Sequence, residues 1–144
     1  MKKILKGLIF IFTIIIITGC TKNYSSITYT KFNEVLNEQK GYMVSNQTNK
    51  YADKFERCLE AVGNNNQFLY YEFKTTEQAK KYIEDNYKGR KKYSFKDKKK
   101  YITVKCTKDM YFYAIQIDKS VIIGSSNIKK NKKEIKTIFK ALGY

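Results

Sequence analysis

The sequence lacks histidine, proline and tryptophan altogether, and its 144 residues include only three cysteines. Without histidine, a Ser-His-Asp or Cys-His catalytic group, an imidazole general base and a histidine-ligated metal are all excluded. Three cysteines are too few for a four-cysteine zinc site or a ferredoxin-type cluster. The sequence therefore predicts no metal site and no cofactor, and the chain length fits one domain.

The first 19 residues have the layout of a secretory signal peptide. Lys2, Lys3 and Lys6 precede an apolar run at residues 8–17, and small residues follow it. A signal peptide needs positive charges that stay inside, a short apolar helix and small residues at the cleavage site. The apolar run is about half of the ~20 residues that span a bilayer, which favours a signal peptide over a permanent anchor helix.

The motif Ile17-Thr18-Gly19-Cys20 resembles the lipobox of bacterial lipoprotein precursors, with isoleucine in place of the commoner leucine. The resemblance implies a diacylglyceryl group on the sulfur of Cys20, cleavage before Cys20 and a position on the outer face of the cell membrane. Two acyl chains anchor a protein stably. Residues 20–28 would then be the lipidated cysteine and a short tether, and residues 29–144 a single domain. The alternative is an ordinary secretory signal in which Cys20 falls by chance.

Three later segments have the period of amphipathic helices. We expect the first to be capped by Thr30 and the third by Asn131, whereas Thr75 and Gln78 have the spacing of a capping box in the second. The apolar stripes are Phe32, Val35 and Leu36; Ala79, Tyr82 and Ile83; and Ile135, Ile138, Phe139 and Leu142. These stripes predict helices that bury one face in a core.

Strand-like runs lie between the helices, at residues 42–45, 57–62, 67–74, 101–106, 110–117 and 120–124. The run Asn64-Asn65-Asn66 favours a turn, and short turns make successive strands antiparallel. The sequence therefore predicts an α+β domain. It has an antiparallel sheet of about five to seven strands with three helices packed on it, after a cleaved N-terminal signal helix.

The body of the chain also resembles short, uncharacterised lipoproteins of Gram-positive bacteria. These combine a lipobox with a small α+β domain and often end in a helix followed by Gly-Tyr. The matching features are residues 75–83, the paired strands at 101–124 and the final Ala141-Leu142-Gly143-Tyr144. The resemblance implies a fold and carries no information about catalytic activity.

Positive charge is concentrated in the C-terminal half. Residues 21–87 carry nine basic and nine acidic side chains, whereas residues 88–144 carry seventeen basic and four acidic ones. The predicted anion-binding residues are Lys88, Arg90, Lys91, Lys92, Lys96, Lys98, Lys99 and Lys100. A second group surrounds the last helix and comprises Lys129, Lys130, Lys132, Lys133, Lys136 and Lys140.

This charge asymmetry has two interpretations. A lipid-anchored protein would be drawn by its lysines to anionic lipid head groups or to wall polyanions, at about 1 kcal/mol per lysine near an anionic surface. The alternative is the amino-acid bias of an AT-rich genome, although bias does not explain why one half is neutral and the other basic. Specific nucleic-acid recognition is not expected, because arginine is the preferred base reader and only Arg57 and Arg90 are present.

The sequence carries no recognisable catalytic motif, so we expect a binding or interaction protein and not an enzyme. The alternative from another class is a small hydrolase of envelope polymers, with carboxylates that only the fold brings together. A cleft that gathers two carboxylates, or a carboxylate with lysine and tyrosine, would favour the enzyme. A filled core without such a cleft would favour the binding protein.

Cys58 and Cys106 are the two thiols that remain if Cys20 is alkylated. An exported domain lies on the oxidising side of the membrane, so a disulfide between them is one state. Two buried free thiols are the other state, because cysteine packs as a small hydrophobe.

Four tyrosines in the strand-like runs, Tyr70, Tyr71, Tyr111 and Tyr113, also have two interpretations. They would suit a sugar- or peptide-binding face, but aromatic residues favour strands and fill cores. We therefore expect these side chains to be core residues.

Overall fold

The computed structural model describes residues 25–87, 93–97, 100–104 and 110–144. Its helices are α1 (Tyr29–Glu38), α2 (Thr76–Tyr87) and α3 (Lys132–Ala141). Its strands are β1 (Tyr42–Asn46), β2 (Arg57–Gly63), β3 (Asn66–Glu72), β4 (Tyr93–Asp97), β5 (Lys100–Val104), β6 (Tyr111–Ile117) and β7 (Ser120–Ser126). Short 3-10 helices span Asn49–Tyr51 and Lys129–Asn131. The predicted α+β class is confirmed, whereas the signal segment lies outside the described residues.

The seven strands form one sheet in the order β1-β2-β3-β7-β6-β5-β4, and every neighbouring pair is antiparallel. The chain makes two meanders, β1 to β3 and β4 to β7, which α2 connects. Because β7 returns to pair with β3, the last strands of the two meanders lie side by side at the centre of the sheet. The predicted antiparallel sheet is confirmed.

Tight turns with left-handed backbone angles connect β2 to β3 and β6 to β7. Asn64 and Asn65 have φ angles of 51° and 60°, and they join the paired residues Gly63 and Asn66. Asparagine tolerates this region better than most residues, so the predicted Asn turn forms a two-residue hairpin. In the turn that follows β6, Asp118 has a φ of 49°.

Helices α1 and α3 pack together on one face of the sheet. Phe32 of α1, Ile135 of α3 and Phe68 of β3 are each fully buried there. Tyr70 and Tyr111 belong to the same core, and Tyr113 packs against it. The interpretation of these tyrosines as core residues is therefore confirmed on this face.

Helix α2 packs on the opposite face, where Ala79 and Ile83 are fully buried. An aromatic cluster continues this second core beyond the helix. Phe55 stacks on Tyr71 with ring centroids 4.3 Å apart, and its ring meets Phe73 edge-on at 5.1 Å. The sheet is thus covered by helices on both sides, which gives three layers.

The helix caps match the prediction fully at one of the three N-termini. Thr75 and Gln78 exchange the hydrogen bonds of a capping box, at 3.3 and 3.2 Å, as predicted. The first helix is capped by Thr28 and not by Thr30, because the Thr28 hydroxyl accepts from the Lys31 amide at 3.2 Å. Asn131 lies at the N-cap of the third helix, as predicted, but its side chain makes no cap bond; its amide nitrogen donates to Asn64, Asn66 and Ser126.

Candidate functional site

Most of the predicted site residues lie outside the described part of the chain. They are Cys20, Lys88, Arg90, Lys91, Lys92, Lys98, Lys99 and Cys106. Lys96 lies within β4 and Lys100 begins β5, where Asp97 and Lys100 are paired across the two strands. The β4 strand is an edge strand of the sheet. Lysine on an edge strand is a common device against edge-to-edge aggregation, so a structural role also accounts for this placement.

The second lysine group forms a groove along α3. Lys130, Lys132, Lys133, Lys136, Thr137 and Lys140 line a shallow, open depression of about 490 Å³ in the surface, which we call the lysine groove. The spacing of those that belong to α3 places their side chains on one side of the helix, because residues three and four apart are neighbours. Lys130 lies in the 3-10 helix that precedes α3. Ile135, Ile138 and Phe139 lie on the other side and are buried in the core. The amphipathic pattern of α3 thus fixes the groove on the solvent side.

The charge of the lysine groove is not compensated within α3. Glu134 is the acidic residue of the helix, and its Oε1 accepts from the Tyr42 hydroxyl at 3.0 Å and from the Asn64 amide at 2.9 Å. The ammonium group of Lys132 lies 5.7 Å from the centre of the Tyr111 ring. Like charges four residues apart destabilise a helix by roughly 0.2–0.5 kcal/mol per pair. An anion in the groove would relieve that repulsion.

A second concave surface lies where the chain enters the domain, and we call it the N-terminal cleft. It has a volume of about 430 Å³. Its lining residues are Ser26, Ile27, Thr28, Tyr29, Arg57, Tyr70, Glu72, Thr76, Asp118, Lys119 and Ser120. Two carboxylates, a lysine and a tyrosine thus meet in one cleft. This is the combination that the enzyme interpretation required, and a cleft of this kind exists.

The side of the N-terminal cleft next to the core is a buried polar network around Tyr70. The Tyr70 hydroxyl lies 3.3 Å from the Ile27 carbonyl oxygen, 3.2 Å from Oε2 of Glu72 and 3.4 Å from Oγ of Ser120. Ser120 also donates to the Ile27 carbonyl at 3.2 Å. Burial raises the pKa of the Tyr70 hydroxyl to about 12, so Tyr70 keeps its proton at physiological pH. Tyr70 therefore acts there as a hydrogen-bond donor.

The outer part of the N-terminal cleft carries the charges. The closest approach of Arg57 to Glu72 is 3.8 Å, from Nε to Oε2, and the guanidinium lies 5.4 Å from the centre of the Tyr29 ring. Asp118 and Lys119 are exposed in the turn between β6 and β7. Sequence patterns do not reveal this site, because its residues come from distant segments. The Asn64-Asn65 turn does imply one part of it, since it sets the register that pairs Arg57 with Glu72.

The segment that leads to the N-terminus is fixed to the domain near this cleft. The carbonyl oxygen of Ser25 accepts from the Tyr144 hydroxyl at 3.2 Å, and Ile27 is buried in the first core. Tyr144 follows the last residue of α3 by three positions, so Ser25 lies beside the C-terminal end of α3.

Cys58 is a buried residue of β2 in the second core. Burial, together with a smaller contribution from the charge of Glu60, raises the pKa of its thiol to about 11. Because Cys106 lies outside the described residues, the disulfide between the two stays a prediction.

Within the part of the chain that the structure describes, no helix is both long and apolar enough to cross a bilayer. No protein-family model matches the chain, and no curated protein matches it.

Proposed function

We propose that the protein is a lipid-anchored binding protein of the outer face of the cell membrane, and that its basic C-terminal half binds anionic lipid head groups. The observation that carries the proposal is the lysine groove, where five lysines meet and no acidic side chain is among the described lining residues. Cys20 is the proposed anchor, with the resemblance to a lipobox as its support.

The attachment of the N-terminal segment supports a membrane ligand over a distant one. Ser25 is five positions after Cys20 in the chain, and five extended residues span at most about 18 Å. Ser25 is bonded to Tyr144, so an anchor at Cys20 would keep the end of α3 close to the lipid surface. A ten-residue helix is about 15 Å long, and one that lies along the surface places its lysines within a Debye length of ~10 Å.

The proposal is tested by co-sedimentation of the soluble domain, residues 21–144, with lipid vesicles. Vesicles that contain phosphatidylglycerol should bind the domain at low salt, binding should weaken steeply at high salt, and neutral vesicles should not bind it. Changing Lys132, Lys133, Lys136 and Lys140 to glutamine should remove most of the affinity. Exposed charges contribute little to stability, so the variant should remain folded.

A matched control removes the same charge from the neutral half. Lys31, Lys40, Lys54 and Lys74 are also exposed, and their change to glutamine should leave binding nearly intact. Equal loss of vesicle binding in both variants would mean that binding depends on net charge alone and not on the lysine groove. If the domain binds soluble wall polyanions but not vesicles, the ligand is a polyanion of the wall and not a membrane lipid.

The N-terminal cleft favours a second candidate, a hydrolase of envelope polymers. Glu72 and Asp118 would supply the carboxylates, and the buried Tyr70 would hold Glu72 in position through the hydrogen bond to its Oε2. The test is the release of soluble fragments from isolated envelope by the wild type and by Glu72→Gln and Asp118→Asn variants. Release that both substitutions abolish would support the enzyme, and the absence of release by the wild type would contradict it.

A further inference from the structure

The N-terminal cleft carries charges of both signs, whereas the lysine groove carries positive charges. Anion binding at the groove does not involve the charges of the cleft. Arg57 begins β2 and is paired with Glu72, which is paired in turn with Ser120 at the start of β7. Neighbouring strands lie about 4.8 Å apart, so this row crosses roughly 10 Å of the sheet end. The exposed Asp118 and Lys119 precede Ser120 directly. Two cations and two anions therefore share one small cleft.

Arg57 retains donors that Glu72 does not engage. A separation of 3.8 Å is longer than a hydrogen bond, so the contact between the two is an ion pair without one. The guanidinium also lies over the ring of Tyr29, and this cation–π contact favours the observed position. A guanidinium that is positioned in this way can form paired hydrogen bonds with a ligand carboxylate.

The side of the N-terminal cleft next to the core, which we call its floor, is held by hydrogen bonds within the protein and does not need a ligand to form. Tyr70 is 1% exposed and Ser120 is 6% exposed, and both hydroxyls lie against the carbonyl of Ile27. The volume of about 430 Å³ falls within the ~300–1,000 Å³ range of small-molecule sites. The cleft thus combines a preformed floor with charged groups of both signs at its mouth.

We propose that the N-terminal cleft binds a small zwitterionic ligand, with a free ammonium and a free carboxylate, of the size of an amino acid or a dipeptide. Arg57 and Lys119 would pair with the carboxylate, and Asp118 and Glu72 with the ammonium. A ligand with charges of only one sign would face two groups of the same sign. This proposal is independent of the lysine groove and holds whether or not the groove binds lipid.

The probe is the dipeptide L-alanyl-L-alanine, together with its N-acetyl form and its C-terminal amide. Binding to the full-length protein, purified from membranes in a neutral detergent, is measured by isothermal titration calorimetry. The free dipeptide should bind in the millimolar range or tighter. Each blocked form should bind at least about tenfold more weakly, because it lacks one of the two charges. Failure of the free dipeptide to bind, or equal binding of the three forms, would overturn the proposal.

Two matched double variants locate the site. Asp118→Asn with Lys119→Gln should weaken dipeptide binding by about tenfold or more, which corresponds to ~1.4 kcal/mol. Asp53→Asn with Lys54→Gln changes the same two residue types at another exposed Asp-Lys step and should leave binding unchanged. Thermal unfolding of each variant checks that the fold is kept. Equal effects of the two double variants would place the ligand elsewhere and contradict the proposal. Loss of binding in the variant of the α3 lysines would also contradict it.

Discussion

Gly124 on β7 lies directly beneath side chains of α3, and replacing it with alanine tests the packing of the first core. An added Cβ would lie 2.7 Å from Cε2 of Phe139, 2.8 Å from Cε1 of Phe68 and 3.1 Å from Cγ2 of Ile135. Carbon atoms in contact are about 3.5–4.0 Å apart, so each ring would have to move by roughly 1 Å. Both rings are buried, which leaves little space for that movement.

We expect Gly124→Ala to lower the free energy of unfolding by about 1–2 kcal/mol. Overpacking of a core costs typically ~1–3 kcal/mol. The substitution also restricts the unfolded chain, and this offsets about 0.4–1 kcal/mol of the loss. The change should appear in urea unfolding of residues 21–144 as a lower midpoint with an unchanged m value.

A double variant separates crowding from other effects of the substitution. Phe139→Leu removes one of the two rings, so Gly124→Ala should cost less in that background than in the wild type. Wild-type stability or better for Gly124→Ala would refute the close approach of α3 to the sheet. An equal cost in both backgrounds would refute crowding by Phe139 as the cause.

Three further predictions concern the N-terminus, the thiols and the tyrosines. Mass spectrometry of the membrane fraction should find a diacylglyceryl-modified Cys20 peptide and no residues 1–19, whereas an intact Met1 terminus would contradict the signal-peptide interpretation. Cys58 should resist alkylation at pH 8 in the folded protein because its pKa is about 11 and the thiolate is the reactive form. Reaction of Cys58 after unfolding without reductant would show a free thiol, whereas protection until reductant is added would show the disulfide with Cys106. Burial raises the pKa values of Tyr42 and Tyr70 from 10.0 to about 12, so the stability they contribute is fully present below pH 10 and is lost as the pH rises toward 12. The urea midpoint should therefore fall over that range, and a constant midpoint would contradict these shifts.

Local patterns predicted the helices and the antiparallel strands because their causes lie within a few residues. The capping box of Thr75 and Gln78 forms as its spacing indicates, and the stripe of Ile135, Ile138 and Phe139 is buried. The stripe does not say which face of the sheet a helix will cover. That choice depends on which side chains alternate toward each face, and α2 packs opposite to α1 and α3.

Long-range contacts account for the features that the sequence analysis missed. Asn131 is a good capping residue, but Asn66 and Ser126 take up its side-chain amide from other parts of the fold. The N-terminal cleft has the same origin, because its charged residues are separated by up to 62 positions from Arg57 to Lys119. The lysine group around α3 was visible from spacing alone, since helical periodicity places those residues on one side.

The central claim is that the lysine groove faces the membrane, and paramagnetic relaxation measured by NMR tests it most directly. The isotope-labelled domain, residues 21–144, is mixed with anionic nanodiscs whose lipids carry a nitroxide at the head group. We predict that the amide signals of residues 130–140 broaden most, while those of Thr76–Tyr87 on the opposite face of the sheet remain sharp. Strongest broadening along Thr76–Tyr87, or equal broadening on both faces, would contradict the account.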